Sequence, residues 1–577
     1  MKELCNAIKL KMLPIIFGMV LVIIALSLYI FCKHRFAYWH RKGVPYLHPT
    51  NHSAQPLHIL QAPFCILAQK RRTLFAPNVS FWRYDLSPKR RTTHRAFLKF
   101  LKGVPYLHPT FPFGDMTYLR KGVPPTVHFS NFYNTFKSRG QKHGGVYQFF
   151  KPTYIPIDPE YVKDILIRDF PHFADRGIYH NERDQPILRN LFFMEGNDWK
   201  SMRMKLSPTY TSGKMKMMFK TMLDCSAPLV KRIRDLTENN QIIDIKDVSA
   251  RFTTDVIGSC AFGIECNSFE SPNSEFRMYG KKIFEDDVVK TIKGVFRIAC
   301  PNLAYKLKMV VFDKDVEEFF SKAVTDTYYF RKNYHTKRND FMQLLIELKD
   351  KENDTDQKVN SLTMNEVIAQ AFIFFVAGFD TSATTLTFAL FELAYNNDIQ
   401  NKAREEVQKI LTKYNGNLTY DGIHELKYMD RVIQETLRKY PPVALINRIC
   451  TETYQVPHTN LTLDKGTLVG ISVLGLHRDP DYYPDPDKFD PERFSDENKG
   501  KLVAGTYLPF GDGPRVCIGL RFGLMQVKIG LAMLLKEFEF IVDPKTLLPL
   551  EIDLGFVMTV KGGIWLSSKR YNQQHDN

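Results

Sequence analysis

Apolar positions in this chain fall into runs of different kinds. The first, Met12 to Cys32, is 21 residues without a charge, and about 20 apolar residues span a hydrocarbon core as a helix. Pro14 stands near its start, where a helix tolerates proline. A cleaved leader would have a shorter apolar stretch, ~7–15 residues, ending in a small-residue cleavage site. Here the run ends in Lys33, His34 and Arg35, so residues 1–32 read as an uncleaved membrane anchor. Lys33, Arg35, Arg41 and Lys42 follow the run and Lys2, Lys9 and Lys11 precede it. The positive-inside rule then puts the rest of the chain on the cytoplasmic side.

From Phe111 onward, helix-period segments alternate with Pro- and Asp-rich loops. The clearest helix spans about 363–393. Thr363 and Glu366 make a capping box at its start. Its centre, AQAFIFFVAGFDTSATTLTFALFEL, is apolar on nearly every face, which predicts a helix crossing the core. Gly378, Asp380, Thr381, Ser382, Thr384 and Thr385 interrupt it. Glycine costs about 1 kcal/mol in a helix relative to alanine, and a buried carboxylate needs a partner. Two readings stand: a packing glycine beside a polar patch, or a helix widened beside a ligand. Phe374 and Phe375 just before it could line a pocket. A second helix, about 425–439, stops at Pro441-Pro442 because proline cannot continue it. It carries Glu435 and Arg438 on one face.

Composition narrows the class. The chain has 577 residues, 44% hydrophobic and 24% charged, which excludes a disordered chain. Nine cysteines without paired spacing exclude a disulfide scaffold and fit a reducing compartment. The formal charge of +17 would fit nucleic acid or an anionic surface, but residues 51–110 hold ten Lys or Arg against one acid, Asp85. Most of the excess is local, and no nucleic-acid-binding pattern accompanies it.

That basic stretch has a second peculiarity. KGVPYLHPT occurs at 42–50 and again at 102–110. A structural repeat would match over more than one short segment. The expectation is that 33–110 is a basic, Pro-containing linker and that 51–110 within it is an insertion or a misassembled gene. Joining Thr50 to Phe111 restores a continuous KGVPYLHPTFPFG. The rival is a true basic linker lying on anionic lipid.

The strongest chemical signal is the loop LPFGDGPRVCIG, 508–519. Glycines and prolines impose a tight turn, a single Cys517 follows, and a helix is predicted from near Gly519. A cysteine at a helix N-terminus has a depressed pKa, which suits a thiolate metal ligand. The alternative is a buried structural cysteine. Gly511 and Gly513 lack the third glycine of a dinucleotide loop.

Together these segments resemble the cytochrome P450 haem-thiolate monooxygenases, in the insect microsomal branch that oxidises xenobiotics and lipids. The resemblance covers the chain outside 51–110. Phe510-x-x-Gly513-x-Arg515-x-Cys517-x-Gly519 resembles the haem-binding signature. Glu435-x-x-Arg438, Pro491-Glu492-Arg493-Phe494, Ala377-Gly378-Phe379-Asp380-Thr381-Ser382 and Trp199-x-x-x-Arg203 resemble four further motifs, in the family's order.

The resemblance implies a mainly α fold with small β-sheets behind an N-terminal transmembrane helix, with the haem domain at 111–577. It implies haem b, with Cys517 as axial iron ligand and Phe510 shielding it. Gly513 and Gly519 would let backbone approach the sulfur. Arg203, Arg515, Trp199 and Arg448 would hold the propionates, joined by Arg176. Glu435, Arg438 and Arg493 would form a structural ion triad. Asp380 and Thr381 would be the catalytic acid–alcohol pair supplying protons, and Gly378 would leave room for dioxygen. Implied partners are an NADPH–cytochrome reductase, cytochrome b5, dioxygen, an apolar small molecule and membrane lipid, at the endoplasmic reticulum and without nucleic acid. Lys200, Lys205, Arg521 and Lys528 could meet an acidic redox partner. Residues 296–311, mixing apolar and basic side chains, could dip into the membrane. A reductase-independent isomerase or dehydratase, or a non-catalytic haem-binding protein, are the other functions considered.

Overall fold

The structure, a computed structural model, describes Asp115 and residues 125–571 apart from 150, 272–273, 286–287, 351–360 and 554–556. The predicted anchor and the duplicated linker lie outside the described residues. The chain divides into two compact units: Met1–Thr117 with Gly144–Pro152, and Tyr118–His143 with Thr153–Asn577. In the small unit the buried Asp115 carboxylate accepts from the Tyr147 amide at 2.7 Å. Burial pushes that carboxyl well up.

The large unit is mostly helical, as expected. Helices used below are α1 (Gly196–Leu206), α2 (Ser212–Asp224), α3 (Ile245–Ile257), α4 (Val288–Ala299), α5 (Pro301–Lys306), α6 (Lys314–Asn333), α7 (Met364–Tyr395), α8 (Lys427–Lys439) and α9 (Leu520–Leu535). Strands used below are β1 (Lys151–Pro156), β2 (Ile243–Asp244), β3 (Leu445–Ile449), β4 (Leu468–Ser472), β5 (Phe538–Val542) and β6 (Trp565–Arg570). β4 pairs parallel with β1 through Thr153↔Leu468 and antiparallel with β3 through Arg448↔Val469. β6 pairs antiparallel with both β2 and β5.

The core is built around α7. Its capping box is present: the Glu366 amide donates to Thr363 Oγ1 at 3.3 Å, and the Thr363 amide donates to Glu366 Oε2 at 2.9 Å. A Ser/Thr cap is worth about 1 kcal/mol. Of its 32 residues α7 buries 22, and 72% of its most apolar stretch is buried, so burial makes it a core helix despite a length and apolarity that would suit a membrane span. It packs along α3, α8 and α9. Gly378 permits a close approach of α3, since a Cβ there would lie 2.5 Å from Ile257 Cδ1. Gly378 therefore has a packing role against Ile257 and at the same time stays half-accessible.

Phe374 and Phe375 also turn out to be core residues. Phe374 stacks on Phe341 at 4.4 Å and meets Phe522 of α9 edge-on at 5.0 Å. Phe375 packs among Phe262, Phe276 and Phe320. Helical rotation carries both to faces covered by neighbouring elements.

Candidate active site

The loop before α9 is set by backbone hydrogen bonds and one steric exclusion. The Gly511 amide donates to Leu508 O at 3.1 Å, the Val516 amide to Gly513 O at 3.0 Å, and the Cys517 amide to Phe510 O at 2.9 Å. Asp512 Oδ1 accepts from the Gly513 amide at 2.7 Å. Gly513 has φ +70°, and a Cβ there would stand 1.9 Å from the carbonyl oxygen of Leu166. Only glycine fits. What approaches Gly513 is thus the Leu166 carbonyl, not the sulfur. Gly519 caps α9 and its amide donates toward the Cys517 sulfur. Phe510 packs against the core beside it.

Cys517 sits deep among protein atoms, yet its side chain is accessible. It therefore lines a recess. Burial pushes its thiol up, and the Gly519 amide, Arg203 and Arg176 offset only part of this. The expected depressed pKa is overturned: desolvation of a thiolate outweighs one amide and two guanidinium groups. A metal cation would reverse the balance, since a coordinated thiol is deprotonated.

Four guanidinium groups gather near this loop. Arg515 donates through Nη2 to Met194 O at 2.8 Å and lies 3.5 Å from Asp175. Its guanidinium stacks over Trp199 at 4.3 Å, and Trp199 is supported by Phe170. Arg448, on β3, donates through Nη1 to Asn447 O at 2.9 Å. Arg176 lies over the Phe192 ring. Arg203, on α1, is half-buried. Burial brings Arg515 down to about 9 and Arg176 down to about 10. Arg448 is held well below its ordinary value by burial, then by Arg176 and Arg515.

Buried Nε atoms of Arg176, Arg448 and Arg515, and Nη1 of Arg515, have no hydrogen-bond partner. Buried donors are ordinarily satisfied. A concentration of cations with spare planar donors calls for an anion carrying carboxylates. Two propionates beside an iron held by Cys517 meet that demand, so the residues fit haem.

The loop is braced from α8. Arg438 donates to the buried Glu435 through Nε at 2.7 Å and Nη2 at 2.8 Å. Arg493 lies 3.4 Å from the same carboxylate, completing the expected triad. The brace continues through a residue the sequence did not single out. His477 is fully buried, and its Nε2 accepts from the Leu508 amide at 2.8 Å. Its Nδ1–H donates to Arg438 O at 3.1 Å. The triad thereby grips the first residue of the cysteine loop.

In the middle of α7, accessibility breaks the buried pattern at Ala377, which is exposed, and at Ile373, Gly378 and Thr381, which are half-buried. Ile373, Ala377 and Thr381 share one face at i, i+4 spacing. Thr381 Oγ1 donates to Ala377 O at 2.6 Å. Asp380 points elsewhere. It is buried and ion-paired with Lys246 of α3, whose Nζ also donates to Thr384 Oγ1 at 2.8 Å. The pair lines a cleft with Arg277, Lys281 and Glu285.

The four basic residues expected to meet a partner do not form one group. Lys200 and Arg521 are exposed. Lys205 is committed to Ser361 O at 2.9 Å. Lys528 is buried, donating to Ile423 O at 3.0 Å and pairing with Asp430 at 2.7 Å. Burial pulls its pKa down, and it is not available for docking.

Residues 109–566 match the family model for cytochrome P450. The chain is 43% identical over 477 residues to cytochrome P450 6a2 of Drosophila melanogaster, covering 81% of this chain and 94% of that protein. It is 43% identical over 479 residues to cytochrome P450 6a8 of the same fly, covering 82% and 95%. Probable cytochrome P450 6a14 matches at 42% over 485 residues, covering 81% and 94%. The chain belongs to the cytochrome P450 family. It is an insect member and a monooxygenase, and membership implies a haem iron, dioxygen, a substrate and a redox partner.

Proposed function

We propose that this protein is a membrane-bound monooxygenase that oxidises an apolar small molecule, with haem b held by Cys517. The observation that carries the site is the cluster of buried, unpartnered guanidinium donors beside an accessible cysteine on a braced loop. When bound, haem supplies activation of dioxygen and insertion of one oxygen atom into substrate. Cys517 holds the iron, and the Gly519 amide steadies the sulfur. Arg176, Arg203, Arg448 and Arg515 hold the propionates, with Trp199 stacked under Arg515. Phe510 covers the sulfur side.

The stripe Ile373–Ala377–Thr381 faces the reaction. The Thr381 hydroxyl holds a proton there, and Asp380 replenishes it from the solvent-side cleft where Lys246 keeps it. Electrons come from an NADPH–cytochrome reductase, with cytochrome b5 as a second donor. Of the basic residues expected to meet it, Lys200 and Arg521 are the exposed ones left to an acidic partner.

The apolar substrate arrives from the membrane. Val289, Ile292, Ile298, Leu303 and Leu307 on and beside α4 and α5 are exposed, with Lys293, Lys306 and Lys308 among them. That composition suits an interfacial surface and extends the expected 296–311 segment backwards. Residues 1–32 anchor the chain in the endoplasmic reticulum, leaving the domain at 111–577 in the cytoplasm. Residues 51–110 are an insertion within the linker 33–110. In support, the family match starts at residue 109, and the relatives are covered more completely than this chain is.

The test is the carbon-monoxide difference spectrum of dithionite-reduced membranes carrying the full chain, and a second form lacking 51–110. A strongly red-shifted Soret band reports Cys517 as thiolate on iron. A band at the position of a neutral axial ligand in both forms would sink the haem-thiolate reading.

A further inference from the structure

A recess of about 200 Å³ lies between the start of α2, the short helix Tyr420–Glu425, the start of α8 and one side of α9. On α9 it is lined by Arg521 and Lys528, seven residues apart and so on one face. The start of α8 contributes Lys427 and Asp430, the short helix contributes His424, and α2 contributes its first residue, Ser212.

The charge of this recess is one-sided. Lys427, Arg521 and Lys528 face a single carboxylate, Asp430. Lys528 answers that carboxylate at 2.7 Å and donates to Ile423 O at 3.0 Å. It is only 5% exposed, and an ammonium has three donors, so one remains to be met inside the protein. The neighbouring acid Asp421 is taken up by Lys216 at 3.8 Å. Among the described residues, Lys427 and Arg521 have no ion-pair or hydrogen-bond partner. The His424 ring touches Tyr420 edge-on at 4.7 Å and has no hydrogen bond among them either. Burial, then Lys528 and Lys427, pull the His424 pKa down, which marks a positive field. The first turn of α2 adds to that field, because Thr211 gives it no side-chain cap and no acid stands in it.

We propose that this recess binds a small phosphate-class anion, held by Lys427, Arg521, His424 and the spare donor of Lys528. Once Lys528 and Asp430 cancel, two unpaired cations stand beside a buried ammonium, and like charges gathered in a recess draw a counter-ion. The donors come from three separate elements. A tetrahedral anion presents oxygens in every direction and can meet them together, whereas a planar carboxylate presents two. The volume is below the ~300 Å³ at which sites for drug-sized molecules begin, so the ligand is inorganic phosphate or a small phosphomonoester. Exposed Arg521 and Lys427 stand at the rim, and Lys528 lies at the base. None of these side chains belongs to the cysteine loop or the guanidinium cluster, so the site is separate from the one proposed for haem.

The experiment uses the full chain in detergent, as parent, Lys427→Gln, Arg521→Gln and Lys402→Gln. All three substituted side chains are exposed, and Lys402 lies outside the recess, so it controls for the loss of one charge. Inorganic phosphate is titrated at constant ionic strength, with chloride as the balancing anion, and binding is read from the phosphorus NMR line width. Phosphate bound by the basic stretch 51–110 is common to all four proteins and cancels in the comparison. Lys427→Gln and Arg521→Gln should each weaken the tightest binding about tenfold, the loss of one charged hydrogen bond, and Lys402→Gln should leave it unchanged. Sulfate should displace the phosphate and acetate should not. Glycerol phosphate displacing it as well would assign the site to phosphomonoesters, and failing to would assign it to the free ion, either result supporting the recess. Equal binding by all four proteins, equal weakening in all three variants, or displacement by acetate as good as by sulfate would overturn the proposal.

Discussion

Asp380 and Thr381 are neighbours in sequence and look out of different sides of α7. Thr381 shares a face with exposed Ala377, to whose carbonyl it donates at 2.6 Å. Asp380 pairs with Lys246 in the cleft beside α3. The helix itself thus puts the acid and the alcohol on different faces. The step of about 100° between consecutive residues of a 3.6-residue turn makes this division.

Thr381→Ala should leave the red-shifted carbon-monoxide band in place, since the hydroxyl makes no contact with the cysteine loop. Product formed per NADPH should fall by about 10²-fold, the lower range for loss of a positioned proton donor, with electrons appearing as peroxide. An unchanged ratio removes Thr381 from the relay. Thr381→Ser, which keeps the hydroxyl, should restore much of the coupling.

Gly513→Ala tests the cysteine loop without touching iron or haem. The added methyl falls 1.9 Å from Leu166 O at a backbone φ of +70°. The loop must move, and strain at a special φ is among the few single-residue causes of large destabilisation. The expected result is a carbon-monoxide band shifted to the position of a neutral axial ligand, or lost. A normal band at normal yield would show that the Leu166 approach does not set the loop.

Glu435 and Arg438 are fully buried and mutually hydrogen-bonded. Removing one partner of a buried pair typically costs about 3–5 kcal/mol, and Arg438 also donates to His477 O at 2.9 Å and Pro486 O at 2.8 Å. Glu435→Gln and Arg438→Met should each abolish the red-shifted band at ordinary expression temperature. Recovery of the band on lowering that temperature would mark the role as stability. A full band at the higher temperature would refute it.

The parts legible in sequence were those fixed by local rules. The capping box at Thr363, the stop of α8 before Pro441 and the start of α9 at Gly519 each depend on residues within a turn. The guanidinium cluster was legible only through the family resemblance. Long-range directions were not. Nothing near Gly378 says that Ile257 packs against it, and nothing near Phe374 says that it turns to Phe341. Lys246, in the first turn of an amphipathic helix, reads as a solvated face until α7 brings Asp380 beside it. His477 ends the short apolar run VLGLH, which gives no hint that both ring nitrogens are spent on Leu508 and Arg438.

Those two nitrogens make His477 the clearest source of acid sensitivity. Burial holds its pKa down to about 3, against an ordinary value of 6.5. The neutral ring is the form that accepts from Leu508 and donates to Arg438, so protonation breaks the brace. Because the folded-state pKa is depressed, the unfolded chain binds the extra proton between those values. Stability is fully present above about pH 6.5 and is lost as pH falls toward 3, by up to about 1.4 kcal/mol per pH unit from this group alone. The temperature at which the red-shifted carbon-monoxide band disappears should therefore drop steadily below pH 6.5. In His477→Gln, which keeps an acceptor and a donor but does not titrate, that dependence should be shallower by one proton between pH 6.5 and 5. Equal slopes for parent and variant would show that the acid sensitivity lies elsewhere.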